Sequence, residues 1–168
     1  MRIFLIGYMG AGKTTVGKVL AQELNSPFID MDYFIEEQYG TSITEIFADS
    51  GEQYFRNLEK ESLNRLIMDN KKAIIATGGG TPCFNDNMEQ MKQSSVTVYL
   101  SASHKTIYER VSRDTHRPLV SGKTETELKT YIKTHLKKRR MYYSQADIVV
   151  RSSGTPEEIT QRILRKLP

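Results

Sequence analysis

Short apolar runs alternate along this chain with longer stretches in which apolar residues recur every three or four positions. The runs at 3–6, 28–29, 73–76, 96–100 and 148–150 predict strands. The stretches 14–24, 32–38, 52–68, 105–111 and 125–143 predict helices. A last helix is expected after the final run, opened by Thr155 as N-cap, Pro156 at the first position and Glu158 at the third. Strands alternating with helices predict an α/β fold, a parallel sheet covered on both faces. Two segments break the rhythm: "TGGGTP" (77–82) and the polar, proline-interrupted segment 112–125. Both follow strands or their helices on the side where open parallel sheets bind ligands.

The junction of the first strand and first helix carries the chemistry. "GYMGAGKT", Gly7 to Thr14, fits G-x-x-x-x-G-K-[ST] at every fixed position, in the strand-to-helix context that the pattern requires. A polyphosphate needs converging N–H donors, a reaching cation and a ligand for its Mg²⁺. Glycines let the backbone turn and approach closely, and the helix start presents unpaired N–H groups and the positive dipole end. The expected ATP contacts are Gly10, Ala11, Gly12, Lys13, Thr14 and Thr15. Lys13 would reach the β and γ phosphates, and the Thr14 hydroxyl would ligate Mg²⁺. A tight turn with a merely solvated lysine would not require all of these positions at once.

The chain has 168 residues, 38% hydrophobic and 26% charged, which is one domain of ordinary size (1–168) with a soluble, globular balance. No apolar run is long enough to span a membrane, and no signal peptide precedes the first strand. One cysteine, Cys83, excludes an internal disulfide, so a cytoplasmic setting is expected, with Cys83 an inert thiol. The net charge is +4, from 24 basic and 20 acidic residues. The only dense basic run, "KKRR" at 137–140, lies in a helical pattern without interleaved aromatics, so no nucleic acid partner is expected.

At the end of the second strand, "FIDMD" sets Asp30 and Asp32 two residues apart, facing the phosphate loop. Capping of the following helix by Asp32 is one reading. The other is a pair of roles, one carboxylate holding Mg²⁺ through water and one orienting or deprotonating an attacking hydroxyl. In "GEQYFRNLEKESL", Phe55, Leu58 and Leu63 would form a buried helix face. On spacing alone that leaves Arg56 and Glu59 to Glu61 in solvent.

Taken together, "GYMGAGKTTVG", "FIDMD", "FRNLE", "TGGGT", "RPL" and "RRMYYSQAD" resemble the shikimate kinase family, in its order and over nearly the whole chain. The resemblance implies a three-layer αβα P-loop kinase fold with a five-stranded parallel sheet, a substrate-binding region at about 32–62 and a lid at about 112–125. It implies a monomer that uses ATP and Mg²⁺ to phosphorylate the 3-hydroxyl of shikimate, on the route to chorismate and the aromatic amino acids. It assigns Asp32 to the shikimate hydroxyls, Asp30 to the neighbourhood of Mg²⁺ and Arg56 to the substrate carboxylate. Gly78, Gly79 and Gly80 match the family's triple glycine, Gly79 being the best candidate for a backbone contact to substrate. Arg117 of "RPL" belongs to the lid, touching ATP phosphates with a catalytic role beside Lys13 and Asp32. Arg110 matches an arginine near the nucleotide, a surface ion pair being the other reading. A second carboxylate-binding arginine is Arg139 or Arg140, Arg139 being preferred because it lies four residues before Tyr143. The alternatives carried forward are another small-molecule kinase, such as a gluconate or nucleoside-monophosphate kinase, and a nucleotide-gated binding module.

Overall fold

The computed structural model describes residues 1–113 and 123–168. Five strands, β1 (Arg2–Ile6), β2 (Phe28–Asp30), β3 (Ala73–Ala76), β4 (Val96–Ser101) and β5 (Ile148–Arg151), form one sheet in the order β2-β3-β1-β4-β5, every pair parallel. All five predicted strands are present. β1 is central and its five residues are buried, as a strand covered on both faces must be.

The helices are α1 (Lys13–Glu23), α2 (Met31–Tyr39), α3 (Ile43–Asp69), α4 (Asn87–Ser94), α5 (His104–Val111), α6 (Glu125–Tyr143) and α7 (Pro156–Leu164). They cover opposite faces. Gly17 of α1 lies over Leu5, which pairs with Val98, whereas the next residue of β4, Tyr99, stacks on Tyr143 of α6 with ring centroids 5.1 Å apart. Adjacent residues of a strand point to opposite faces, so α1 and α6 sandwich the sheet.

Helix starts are strongly specified. Ser42 with Glu45, Thr124 with Glu127 and Thr155 with Glu158 each form a reciprocal capping box. Two helical segments go beyond the sequence expectation. α3 begins at Ile43 and bends at Gly51 (φ 80°, ψ 174°), and α4 was not expected at all. α4 buries only Asn87, Met88 and Met91 of eight residues, too few apolar positions to show a period.

The order of strands brings the phosphate loop (Gly7–Gly12), the Asp30–Asp32 junction and the turn after β3 side by side. β3 lies between β1 and β2, so three carboxyl ends open onto one cleft.

Candidate active site

Between β1 and α1 the loop turns through Gly7, Gly10 and Gly12, at φ 145°, 73° and 92°. Gly12 is the N-cap of α1 in left-handed geometry with no side-chain cap, which leaves the first N–H groups of the helix for a ligand. Lys13 Nζ donates to the carbonyls of Gly7 and Tyr8, at 2.8 and 3.1 Å, folding the ammonium over its own loop. The loop borders a cleft of about 300 Å³ whose lining includes Gly10, Gly12, Lys13, Thr14 and Thr15 on one side and Asp30, Asp32 and Gly79 on the other. Ala11 is buried beneath, its carbonyl accepting from Ser152 Oγ at 2.6 Å.

Arg110, at the end of α5, is no surface ion pair. Its guanidinium donates to the Gly10 carbonyl at 3.0 Å and to Ser152 Oγ at 3.1 Å, pinning the loop to the segment after β5. Next to it a hollow of about 210 Å³ runs between Gly12, Thr15, Ser152 and Pro156.

Asp30 and Asp32 divide the capping and ligand roles differently from the capping alternative. Asp30 is the N-cap of α2, its Oδ1 accepting from the Asp32 N–H at 3.2 Å, while Oδ2 accepts from the Thr14 hydroxyl at 2.7 Å. Asp32 is therefore not the cap. Its half-buried carboxylate turns into the cleft, and burial raises its pKa to about 6, opposed by Lys13 and reinforced by the charges of Asp30, Glu59 and Glu36. Thr14 and Asp30 supply hard oxygen donors of the kind Mg²⁺ prefers.

The far end of the cleft is built around the triple glycine, where side-chain volume is excluded. A Cβ on Gly78 would stand 2.8 Å from Asp32 Oδ1 and 3.0 Å from Glu59 Oε1. One on Gly80 would stand 2.7 Å from Arg56 Nη1, and one on Gly79 would press Met9 N at 3.3 Å, with Arg139 Nη1 at 3.6 Å. Asp32, Arg56 and Arg139 thus converge on three consecutive residues. Tyr143 fixes this turn by donating to the Gly79 carbonyl at 2.6 Å. Arg139 lies over the Tyr8 ring, 5.5 Å from its centroid. Arg140, one residue on, is exposed and lines a different cleft on the other side of α6. Of the two candidate arginines, Arg139 is the one placed beside Gly79.

Apolar spacing misjudged Arg56 and Glu59, which are 8% and 1% exposed rather than solvated. Arg56 stacks on Phe84, 3.9 Å from the ring centroid, and its Nη1 donates to Glu59 at 2.8 Å. Glu59 also accepts from Thr81 at 2.6 Å. Phe84 and Thr81 arrive from the turn after β3, so nothing within the helix itself reveals the burial. Glu59, Tyr8 and Ser152 are site residues that the sequence reasoning left out. The i, i+3 spacing of Arg56 and Glu59 is the one signal that could have paired them. Arg117 and most of the expected lid lie outside the described residues.

Comparison with known proteins gives the same answer along its own line. The family model "Shikimate kinase" matches residues 9–168. The chain belongs to the shikimate kinase family. A shikimate kinase of Azobacteroides pseudotrichonymphae genomovar. CFP2 is 50% identical over 149 residues, 88% of each chain. Among solved structures, shikimate kinase from Bacteroides thetaiotaomicron superposes with a TM-score of 0.89 at 39% identity, covering 99% of both chains. The Acinetobacter baumannii shikimate kinase in complex with shikimate does so at 0.89 and 36%, covering 98% of this chain and 90% of that one. A gluconokinase from Sinorhizobium meliloti 1021, at 18% identity and a TM-score of 0.61, shares the fold alone. The shikimate kinase family is one of phosphotransferases, and the cleft described above is where this member carries the family's motifs.

Proposed function

We propose that this chain, acting as one domain and as a monomer in the cytoplasm, transfers the γ-phosphoryl group of ATP to the 3-hydroxyl of shikimate. The observation that carries this reading is the convergence of Arg56, Arg139 and Asp32 on Gly78–Gly80, across the cleft from Lys13. Two guanidinium forks match a carboxylate, and a carboxylate acceptor matches ring hydroxyls, so the acceptor end fits a small polyhydroxy acid. A nucleotide acceptor would call for a base pocket and further phosphate-binding cations.

In this mechanism the N–H groups around Gly12 and the Lys13 ammonium would hold the β and γ phosphates as negative charge develops on the transferring group. Arg110 would keep the loop in that shape and border the nucleoside end. Mg²⁺, when bound at Thr14 and Asp30, would neutralise phosphate charge. Asp32 would accept the hydrogen bond of the attacking hydroxyl, hold its oxygen in line and take its proton as the new P–O bond forms. Arg117 would join from the lid. The half-buried Cys83 thiol, with its pKa pushed up to about 11 by burial, stays protonated and inert.

A turnover panel of shikimate, gluconate and nucleoside monophosphates tests the reading. ATP consumption is expected with shikimate only. Comparable turnover of gluconate, or binding of ATP without any acid-dependent turnover, would replace it with one of the alternatives.

A further inference from the structure

One flank of α6, where it faces the ends of β4 and β5, borders a second concave surface of about 620 Å³. It lies along the last residues of β4 and β5, the strand ends beyond which parallel sheets bind ligands. Its walls are cationic. Lys133, Lys137 and Arg140 recur at helical spacing on one face of α6, and Arg151 faces them from β5. Among the described residues no acidic side chain lines the cleft and none of these four has a carboxylate partner. The first turn of α5 opens here at His104, adding the positive end of that helix.

The floor is apolar. Val149, on the edge strand, is 43% exposed, and Leu136 and the buried ring of Tyr99 lie beside it. An uncompensated cluster of like charges around exposed apolar surface is unfavourable in both respects, and one kind of molecule relieves both. The edge of β5 is not open for an added peptide strand, because Lys166 Nζ donates to the Val149 carbonyl at 2.9 Å and Arg162 Nη1 to that of Arg151 at 3.1 Å. The volume is that of a small-molecule site.

The geometry points to a second ligand site in the cleft between α6 and the ends of β4 and β5, taking a small anion with an aromatic or alicyclic body whose phosphate or carboxylate groups meet Lys133, Lys137, Arg140 and Arg151. It is distinct from the cleft at Gly78–Gly80, since Arg139 reaches Gly79 whereas Arg140, about 100° further round the helix, lines this surface.

Phenyl phosphate is a suitable probe, titrated by amide NMR into protein already saturated with ADP, Mg²⁺ and shikimate so that the phosphate loop is filled. Shifts are expected at Tyr99, Ser101 to His104, Lys133 to Arg140 and Val149 to Arg151. The affinity should exceed that of inorganic phosphate, fall with added NaCl, and weaken at least tenfold in the Lys137→Glu/Arg151→Glu double variant. Both residues are exposed, so this variant keeps its fold. Absence of shifts at these positions, affinity no greater than that of inorganic phosphate, or unchanged binding in the double variant would each overturn the assignment.

Discussion

Asp32 lies where function and stability pull in opposite directions. Burial lifts its pKa from 3.8 to about 6. Below about pH 4 it is protonated in both folded and unfolded chains and has no net effect. The cost builds between about pH 4 and 6, where the unfolded chain ionises while the fold stays protonated, and is constant at roughly 1–3 kcal/mol above about pH 6. Asp32→Asn should therefore raise the melting temperature at pH 7.5 but not at pH 4, while turnover falls sharply and ATP affinity stays nearly normal. A variant destabilised at pH 7.5, or one that still turns over and binds shikimate normally, would contradict both the burial cost and the role. Glu52 is a second test at this scale. It accepts from Arg56 Nε and Nη2 at 3.3 and 3.2 Å while its own side chain is 58% exposed, so it would compete with a substrate carboxylate for the same guanidinium. Because the Glu52 carboxylate is largely in solvent, the pair is screened and worth on the order of 1 kcal/mol, little enough for a substrate carboxylate to displace. Glu52→Gln should tighten shikimate binding about two- to fivefold by calorimetry, an amount set by the removal of so weak a competing pair; weaker binding would mean that Glu52 holds Arg56 in place instead. The phosphate loop and Asp32 were legible as residues because their chemistry is local. Arg56 was legible only through the family resemblance and not from spacing, because Phe84 and Thr81, which bury it and its partner Glu59, reach them from 28 and 22 residues away.

At the scale of elements, the strands were readable because each is a continuous buried run. α4 was not, its polar surface leaving only Met88 and Met91 as buried apolar markers. The bend at Gly51 was equally hidden, since a positive φ leaves no periodic trace. What ties these helices to the sheet is Arg2, at the start of β1. Its guanidinium donates to the carbonyls of Asn70 at 2.6 Å, Ile67 at 2.7 Å and Ser94 at 3.2 Å, satisfying the ends of both α3 and α4. Arg2→Ala should cost roughly 1–3 kcal/mol of unfolding free energy, because buried carbonyls lose charged donors. Denaturant unfolding measures this directly; kcat per folded molecule should be unchanged, since Arg2 lies at the amino end of the sheet. Gly79→Ala works the other way. Its new methyl would press on Met9 N and crowd Arg139, so shikimate affinity should drop by tenfold or more with only a modest change in melting temperature. Retained affinity would remove the turn from the acceptor site.

Across the whole molecule, one parallel sheet sets the Gly7–Gly12 loop and the Gly78–Gly80 turn at adjacent strand termini, and the proposed transfer needs the two acting together. Lys13→Ala removes a cation from the first and should abolish turnover while shikimate still binds. Arg139→Ala removes one from the second and should act mainly through shikimate affinity, with Arg140→Ala close to wild type. The most direct measurement is identification of the product, by ³¹P and ¹H NMR of a reaction containing ATP, Mg²⁺ and shikimate. The account predicts a single phosphomonoester on the 3-hydroxyl, formed one for one with ADP, and almost no ADP without shikimate. Phosphate on another hydroxyl, or ADP released at the same rate without shikimate, would contradict it.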